Sequence, residues 1–536
     1  MARPLQASPL DALWRQARRE WRAGPLHRMT IAGAAPQGLA VRPRDPRPVD
    51  AAAGERLLAG DFRFAGERME VGREGDPWRR PTPSRRFAAA LHGFDWAPDL
   101  LAVEGGAPEL LRLWLEWRRL FGRFNAFAWS GRALERRVFH LACASPALIP
   151  LASEAEGAAY LADLARQARH LLGDPDGPGR DAEQATAAAL AGASLAGKAG
   201  EALLNKALAR LEASLPKAVL RDGVHASRSP ERGLELLFDL VALDDALSQR
   251  GAPTPAEMGR AIDRLAGAVR FFTHADGRLA AFHGGGALQP AYVAAAQALV
   301  PSDAAPPKFA PYGGYHRLEA AGLQAIVDSG PPPAAPWAAD ACLQPGAFSL
   351  VCDGRRLVTA SVWAAGADMD VAVRGPSGGS CLGFADFWPE ISDTKAERQE
   401  TGDAVWLEAG HDGWRFAFGL ACTRRFYLDG AGELRGEEMV APIAREAEEE
   451  RRSLEIRFHL APGVAAQVAA DGHSALLRAA GGAGWRLRTD AAAIRLEAWT
   501  AIEDGQPRAS QVLVLAGIAH ISHGATVRWK LERDAR

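Results

Sequence analysis

Large apolar residues repeated at helical spacing are the feature that most limits the fold of this chain. Leu110, Trp114, Trp117 and Phe121 follow one another at steps of three and four residues, which places them on one face of a helix. Two similar faces follow, formed by Leu134, Val138 and Leu141 and by Leu161, Leu164, Ala168 and Leu171. Helices that each carry a heavy apolar stripe must bury it on one another. The sequence therefore predicts a helical array that begins near residue 91.

The array is expected to continue to about residue 289, and its clearest helix starts at Thr254-Pro255-Ala256-Glu257. An N-cap hydroxyl, a proline in the first helical position and a glutamate in the third are typical of a helix start. Its stripe consists of Met258, Ile262, Leu265, Val269 and Phe272. Further back, Asp181 with Gln184 is expected to cap the helix that carries Leu203 and Leu211. Roughly eight to ten helices are expected, as paired hairpins closing into an α/α toroid or as an open solenoid.

The pattern changes to strands near Tyr315. The runs Tyr315–Glu319 and Leu323–Val327 flank a short turn and predict a hairpin. Turn dipeptides then recur at Asp353-Gly354, Asp412-Gly413, Asp429-Gly430 and Asp471-Gly472. Many short strands with such turns predict a large antiparallel β-sandwich. The expected fold class is α+β, with an N-terminal arm and small hairpin in residues 1–90, an α/α toroid in 91–310 and a β-sandwich in 311–536.

Composition excludes several classes of protein. A chain with 48% hydrophobic and 24% charged residues folds, and a net charge of -2 provides no general basic field for nucleic acid. The five cysteines form no CxxC pair, so no metal and no cofactor are expected. No window approaches ~18 uninterrupted apolar residues, which predicts no membrane span. The first residues lack the apolar region of a secretory signal, so the cytoplasm is expected and the periplasm is the alternative. Composition gives no indication of the oligomeric state.

A proline- and arginine-rich link occupies Arg42-Pro43-Arg44-Asp45-Pro46-Arg47-Pro48. Its prolines exclude a regular helix. The basic residues are interpreted as a solvated arm, with a binding patch as the alternative.

Several short stretches, taken in their order, resemble the heparinase II/III-like family of polysaccharide lyases. They include Leu91-His92-Gly93-Phe94-Asp95-Trp96, Asp222-Gly223-Val224-His225, Gly314-Tyr315-His316-Arg317-Leu318, Arg424-Arg425-Phe426-Tyr427-Leu428 and Val527-Arg528-Trp529. The resemblance implies an α/α toroid followed by a β-sandwich, with a sugar-binding cleft where the two meet. It also implies eliminative cleavage of a uronic-acid-containing polysaccharide or oligosaccharide, so an acidic polysaccharide or oligosaccharide is the expected partner.

Such a cleavage requires neutralisation of a carboxylate, a base for the adjacent proton and an acid for the leaving oxygen. Histidine and tyrosine are suited to the last two roles. The candidate catalytic residues are His225, His283 and Tyr315, and the candidate substrate-binding residues are Arg228, Ser229, His316 and Arg317. Each group has a structural alternative: a helix N-cap at Ser229-Pro230, a turn in the glycines after His283, and strand packing of Tyr315.

The chain also departs from the pattern that the resemblance implies. Gly379, Cys422 and Ala461 stand where histidines are expected, and Ser229 stands where asparagine is expected. Glycine and alanine neither ligate a metal nor move a proton. The sequence therefore leaves open an active lyase and a catalytically impaired homologue that binds glycans or acts as a scaffold. A hydrolase ranks last, because it requires two carboxylates about 5–10 Å apart and Asp244-Asp245 would point to different helix faces.

Overall fold

The structure is a computed structural model that describes residues 16–17, 20–129, 131–173, 179–363, 371–443 and 450–534. The chain divides into two compact units. The first, called the helical unit, comprises Ala2–Ala218 and Glu235–Asp263. The second, called the sheet unit, comprises Val219–Leu234 and Arg264–Arg536.

The helical unit is built from amphipathic helices and one small hairpin. Its helices are α1 (Pro25–Ile31), α2 (Ala51–Leu58), α3 (Arg85–Gly93), α4 (Ala97–Leu101), α5 (Gly106–Phe121), α6 (Gly131–Leu148), α7 (Glu154–Leu172), α8 (Asp181–Ser194) and α9 (Lys198–Ala218), with most of α10 (Pro230–Gln249) and the start of α11 (Ala256–Phe272). The hairpin pairs β1 (Asp61–Phe64) with β2 (Glu67–Glu70). Among the described residues, no helix combines the length and the apolarity that a membrane crossing requires.

The predicted stripes are the buried faces of these helices. Leu110, Trp114 and Trp117 of α5 are each at most 1% exposed, and Phe121 at its end is partly exposed. The stripes of α6, α7 and α11 are likewise buried. At the start of α7, Ser153 and Glu156 form a capping box, which satisfies amide groups that the first turn leaves without partners.

The sheet unit contains α12 (Pro290–Leu299), a helical turn α13 (Arg415–Phe418) and two antiparallel sheets. One sheet has the order β14-β15-β16-β19-β12-β11-β10-β9, and the other has the order β17-β18-β13-β7-β6-β5-β4-β3 with β8 paired to β13. The strands are β3 (Phe309–Ala310), β4 (Tyr315–Ala320), β5 (Leu323–Asp328), β6 (Phe348–Cys352), β7 (Arg355–Thr359), β8 (Leu382–Phe384), β9 (Thr394–Thr401), β10 (Ala404–Trp414), β11 (Leu420–Leu428), β12 (Leu434–Pro442), β13 (Arg451–Leu460), β14 (Ala465–Val468), β15 (Ser474–Arg478), β16 (Gly484–Thr489), β17 (Ala493–Glu503), β18 (Gln506–His520) and β19 (Ala525–Arg533).

The two sheets share one hydrophobic core. Phe348 of β6 stacks on Trp529 of β19 with ring centroids 6.0 Å apart, and its ring centroid lies 5.2 Å from that of Phe426 in β11. Burial alternates strictly along β11, as expected for a strand with one face in the core. The predicted α+β class, with helices first and large antiparallel sheets after them, is confirmed.

Candidate functional site

Three of the predicted site residues meet in one buried cluster of the sheet unit. The guanidinium carbon of Arg228 lies 4.7 Å from the centre of the Tyr315 ring, and the Tyr315 hydroxyl donates to the Arg228 carbonyl at 2.7 Å. Nη1 of Arg228 lies 3.3 Å from Nε2 of His283. None of the three is more than 5% exposed. Arg228, His283, Tyr315 and the acid described next are called the Arg228 cluster.

Asp328 provides the negative charge of the cluster, and the sequence analysis did not identify it. It ends β5 and stands directly opposite Tyr315 in the antiparallel register of β4 and β5. Its carboxylate accepts from Nη2 of Arg228 and from Nε2 of His283, the latter at 2.9 Å. Burial by itself would raise the pKa of Asp328, but the charge of Arg228 and the hydrogen bond from His283 hold that pKa below its ordinary value. The sequence did offer one signal for Asp328, because an acidic residue directly follows the apolar strand Leu323–Val327 of the predicted hairpin.

The remaining donors of Arg228 bind main-chain carbonyl groups. Its Nε donates to Gly313 O at 2.7 Å and its Nη1 donates to Pro331 O at 2.6 Å. The backbone approaches closely here, because a Cβ added at Gly314 would lie 2.6 Å from Cα of Gly330. The guanidinium group of Arg228 therefore connects the chain segment before β4, through Gly313, with the segment after β5, through Pro331.

His283 is also held at both ring nitrogens. Its Nδ1 accepts from the backbone N–H of Cys342 at 3.2 Å, so the ring proton is assigned to Nε2, which faces Asp328. Burial lowers the pKa of His283 and raises the pKa of Tyr315 well above its ordinary value. Both Arg228 (φ 59) and His283 (φ 46) adopt left-handed backbone conformations. Such conformations are unfavourable for these residue types and persist only where many surrounding contacts fix the backbone.

His225 and Ser229 lie in the loop that leads into α10. The Nδ1 atom of His225 lies 2.8 Å from Oγ of Ser227 and accepts from the Ser227 amide at 3.1 Å. Ser229 is 1% exposed, and its carbonyl accepts from the amide of Gly233 in the first turn of α10. The loop thus orders the start of a helix as well as presenting predicted site residues.

Arg317 and His316 follow Tyr315 along β4 but make separate contacts. Arg317 is 5% exposed, and its Nη1 donates to the carbonyls of Phe271 and Thr273 at 2.7 and 2.8 Å. His316 points to the other face of the strand, where its ring stacks on Phe309 with centroids 6.3 Å apart. Burial, with a smaller effect of Arg398, lowers the pKa of His316 to about 4.

The place of Gly379 is filled by a neighbouring side chain. Gly379 is buried in an extended conformation (φ -129, ψ 153) that any residue can adopt, so only space limits substitution. An added Cβ would lie 2.7 Å from both Cγ and Cδ of Gln344 and 2.8 Å from its Cβ. Gln344 is 5% exposed, and its Nε2 donates to the carbonyls of Val373 and Gly375 at 3.0 and 3.1 Å. A histidine at 379 therefore has no room beside Gln344 as it stands.

The other substituted positions are buried as well. Cys422 is 3% exposed in β11, and burial raises the pKa of its thiol. His459, two residues before Ala461, is 1% exposed and donates from Nε2 to Ser377 O at 2.9 Å; burial lowers its pKa to about 3. In the described ranges, no group of three or more histidine, cysteine, aspartate or glutamate side chains is arranged to hold a metal ion.

Comparison with known proteins identifies the family of this chain. Residues 302–530 match the family model "Heparinase II/III-like, C-terminal". The chain belongs to the heparinase II/III-like family, as its sequence resemblance predicted. It is 45% identical over 542 aligned positions to FtsZ-localized protein C of Caulobacter vibrioides, an alignment that covers 96% of this chain and 94% of the relative.

Solved structures support the fold. The crystal structure of heparinase III has a TM-score of 0.70 at 14% identity, covering 97% of this chain and 91% of that one. Heparan sulfate lyase HepC of Pedobacter heparinus has a TM-score of 0.55 at 14% identity, covering 99% and 91% of the two chains. At this level of identity, likeness to the two lyases describes the fold alone.

Proposed function

We propose that this chain is a catalytically impaired heparinase-like protein that acts as a scaffold at FtsZ assemblies, without lyase turnover. The observation that carries the proposal is the filled space at Gly379, where the resemblance implies a histidine. The side chain of Gln344 that fills it is buried and held by two hydrogen bonds. The closed position at 379, together with the histidines also missing at Cys422 and Ala461, favours a lost reaction over a displaced catalytic group.

The Arg228 cluster supports the same proposal. A general base or acid must reach the proton that it transfers, directly or through one water. His283 instead has one nitrogen on Asp328 and the other on the amide of Cys342, and Tyr315 donates to a carbonyl while fully buried. In our proposal these candidate catalytic residues serve as internal braces of the sheet unit.

The relative supplies the cellular part of the proposal. The name of that protein places it at FtsZ, and 45% identity over 96% of this chain favours a shared place of action. We extend to this chain the same localisation, together with the cytoplasmic address expected from its sequence. An acidic polysaccharide or oligosaccharide remains the ligand that family membership favours, bound without cleavage.

Turnover is tested by following absorbance near 235 nm, where unsaturated uronate products absorb, with heparan sulfate and other uronate-containing polymers. Heparinase III is the positive control. We expect no increase with this chain at any pH from 5 to 9. A steady increase that scales with enzyme concentration would refute the impaired-enzyme proposal. Retained binding, measured by gel retardation of the same labelled polymers, would support the glycan-binding part.

Localisation is tested with a fluorescent fusion of the full chain expressed in Caulobacter vibrioides beside labelled FtsZ. We expect the two signals to coincide and the unfused fluorophore to remain diffuse. A fusion that stays diffuse while folded, as judged by its soluble yield, would contradict the scaffold role. The two tests are independent, since one concerns chemistry and the other location.

A further inference from the structure

A cavity of about 740 Å³ in the helical unit has the features of a small-molecule site. Asp45 and His140, which line it, have side chains only 6% and 3% exposed, whereas the Arg44 side chain is 76% exposed and Arg42 is also exposed. The carboxylate and the imidazole therefore form the floor, and the two guanidinium groups lie at the rim. Most of the remaining lining is apolar and includes Pro43, Pro98, Leu101, Ala144 and Ala147.

The loop that provides both arginines and Asp45 is fixed in place. Gln249 bonds to the amide and the carbonyl of Arg42 at 2.9 and 3.1 Å, and Arg44 pairs with Asp245 at 2.8 Å. Arg47 is buried and donates to Asp45 at 3.0 Å. Among the basic residues of the link, the expectation of a solvated arm is thus wrong for Arg47, whose side chain is 7% exposed, whereas Arg42 and Arg44 are exposed. A site whose ligand-facing groups are already positioned avoids the entropic cost of ordering them on binding.

Two buried polar atoms on the floor lack a well-formed hydrogen bond. Oδ2 of Asp45 and Nδ1 of His140 face each other at 3.4 Å, and within the described part of the chain neither has a hydrogen-bond partner. Burial by itself would raise the pKa of Asp45, but Arg47, His140 and Arg136 hold it far below its ordinary value. The nearest donor to this ionised, buried oxygen is the His140 ring at 3.4 Å, so a ligand that donates to it from a shorter distance is favoured.

The charges around the floor favour a cationic donor. Four carboxylates, two guanidinium groups and one imidazole are joined there by contacts of 3.4 Å or less, so acidic groups outnumber basic ones among them: Asp45, Asp95, Glu235 and Asp239 with Arg47, Arg136 and His140. A metal ion is disfavoured, because the described residues include no set of three suitable ligands. Among the described residues, the lining contains no phenylalanine, tyrosine or tryptophan on which a sugar ring would stack.

We propose that this cavity binds a small aliphatic ω-amino carboxylate. Its ammonium group would donate to Oδ2 of Asp45, and its chain would lie on the proline, leucine and alanine wall. Its carboxylate would meet Arg42 at the rim, since Arg44 is already paired with Asp245. The three-residue step from Arg42 to Asp45 limits their Cα separation to ~10 Å, which a chain of about five methylene groups spans. The proposal is independent of the scaffold function.

Calorimetric titration of the full chain with 6-aminohexanoate tests the proposal, with hexylamine and hexanoate as the matched probes that each lack one charge. We expect saturable binding of 6-aminohexanoate, about tenfold tighter than either of the others, because one charge-assisted contact is worth about that factor. Equal binding of hexanoate would overturn the ammonium contact with Asp45. Absence of saturable binding at millimolar concentration would overturn the site.

Two variants locate the binding without disturbing the buried charges. Arg42→Gln removes a rim charge, and Ala147→Leu places a larger side chain in the cavity; each should weaken 6-aminohexanoate at least about tenfold. Ala158→Leu makes the same change at an exposed position of α7 and is the control for folding. Unchanged affinity in both Arg42→Gln and Ala147→Leu, with both proteins folded, would overturn the assignment.

Discussion

Adding a single methyl group at Gly379 should destabilise the sheet unit because Gln344 already occupies the space. In Gly379→Ala the new Cβ would lie 2.7 Å from two carbons of Gln344, well inside van der Waals contact, and Gln344 is held by two hydrogen bonds. Overpacking of this kind costs about 1–3 kcal/mol. Urea unfolding followed by tryptophan fluorescence measures the loss. The backbone at 379 is extended, so conformational strain adds nothing to the expected cost.

Shortening the Gln344 side chain in two steps tests whether the cost of Gly379→Ala comes from Gln344. Gln344→Ala keeps the Cβ atom at 2.8 Å, so it should remove only part of the cost of Gly379→Ala. Gln344→Gly removes all three close carbons and should abolish that cost, a coupling of about 1–3 kcal/mol in a double-mutant cycle. If Gly379→Ala costs the same in all three backgrounds, Gln344 does not close the position and a histidine has room there.

Three further outcomes follow from the buried polar groups. Asp328→Asn leaves the buried charge of Arg228 without its counter-ion and should lower the free energy of unfolding by about 3–5 kcal/mol; a loss below 1 kcal/mol in denaturant titration would contradict the buried pairing. Tyr315→Phe removes one hydrogen bond to the Arg228 carbonyl and should cost about 1–2 kcal/mol by the same measurement, whereas a more stable variant would show that the bond contributes nothing. Burial lowers the pKa of His459 from 6.5 to about 3. Between these two pH values only the unfolded chain binds the proton, so the stability that the neutral imidazole contributes is complete above pH 6.5 and is lost as the pH falls towards 3. His459→Gln should therefore flatten the dependence of stability on pH by about 1.4 kcal/mol per unit in that window, and an unchanged slope between pH 6 and 4 would refute the assignment.

Periodic features were readable from the sequence because they depend on spacing alone. The stripe of α5 and the hairpin of β4 and β5 were predicted from local repeats, and the register of that hairpin follows from its turn. The family resemblance rested on the order of short stretches spread along the chain. Each of these features can be recognised within one short stretch of sequence or from the order of such stretches, without knowing which distant residues touch.

Features that depend on distant partners were missed. Asp328 gains its importance from Arg228, 100 residues earlier in the chain. Gln344 closes the position of Gly379 by filling the space beside it, and no sequence pattern predicts such packing. Interpreting Arg47 as solvated was wrong for the same reason, since its partner Asp239 lies far along the chain.

Two local predictions were also wrong. Asp181 begins α8, but that helix ends at Ser194 and Leu203 belongs to α9, which starts after Gly197 with a left-handed φ of 81. Asp412-Gly413 lies within β10 instead of in a turn, where a bulge shifts the register between His411 and Trp414. Glycine marked both irregularities, but its presence alone did not say whether the chain stops, turns or continues.

The strand at one end of the eight-stranded sheet, β9, affects whether copies of this chain associate with one another. Its residues Thr394–Thr401 include Lys395, Glu397, Arg398 and Glu400, and nearly all of the strand is exposed. Charged side chains along an unpaired strand discourage a second chain from extending the sheet by hydrogen bonding. Many copies of this chain at high local concentration are therefore not expected to join through this edge into the cross-β stacks that an apolar edge strand favours.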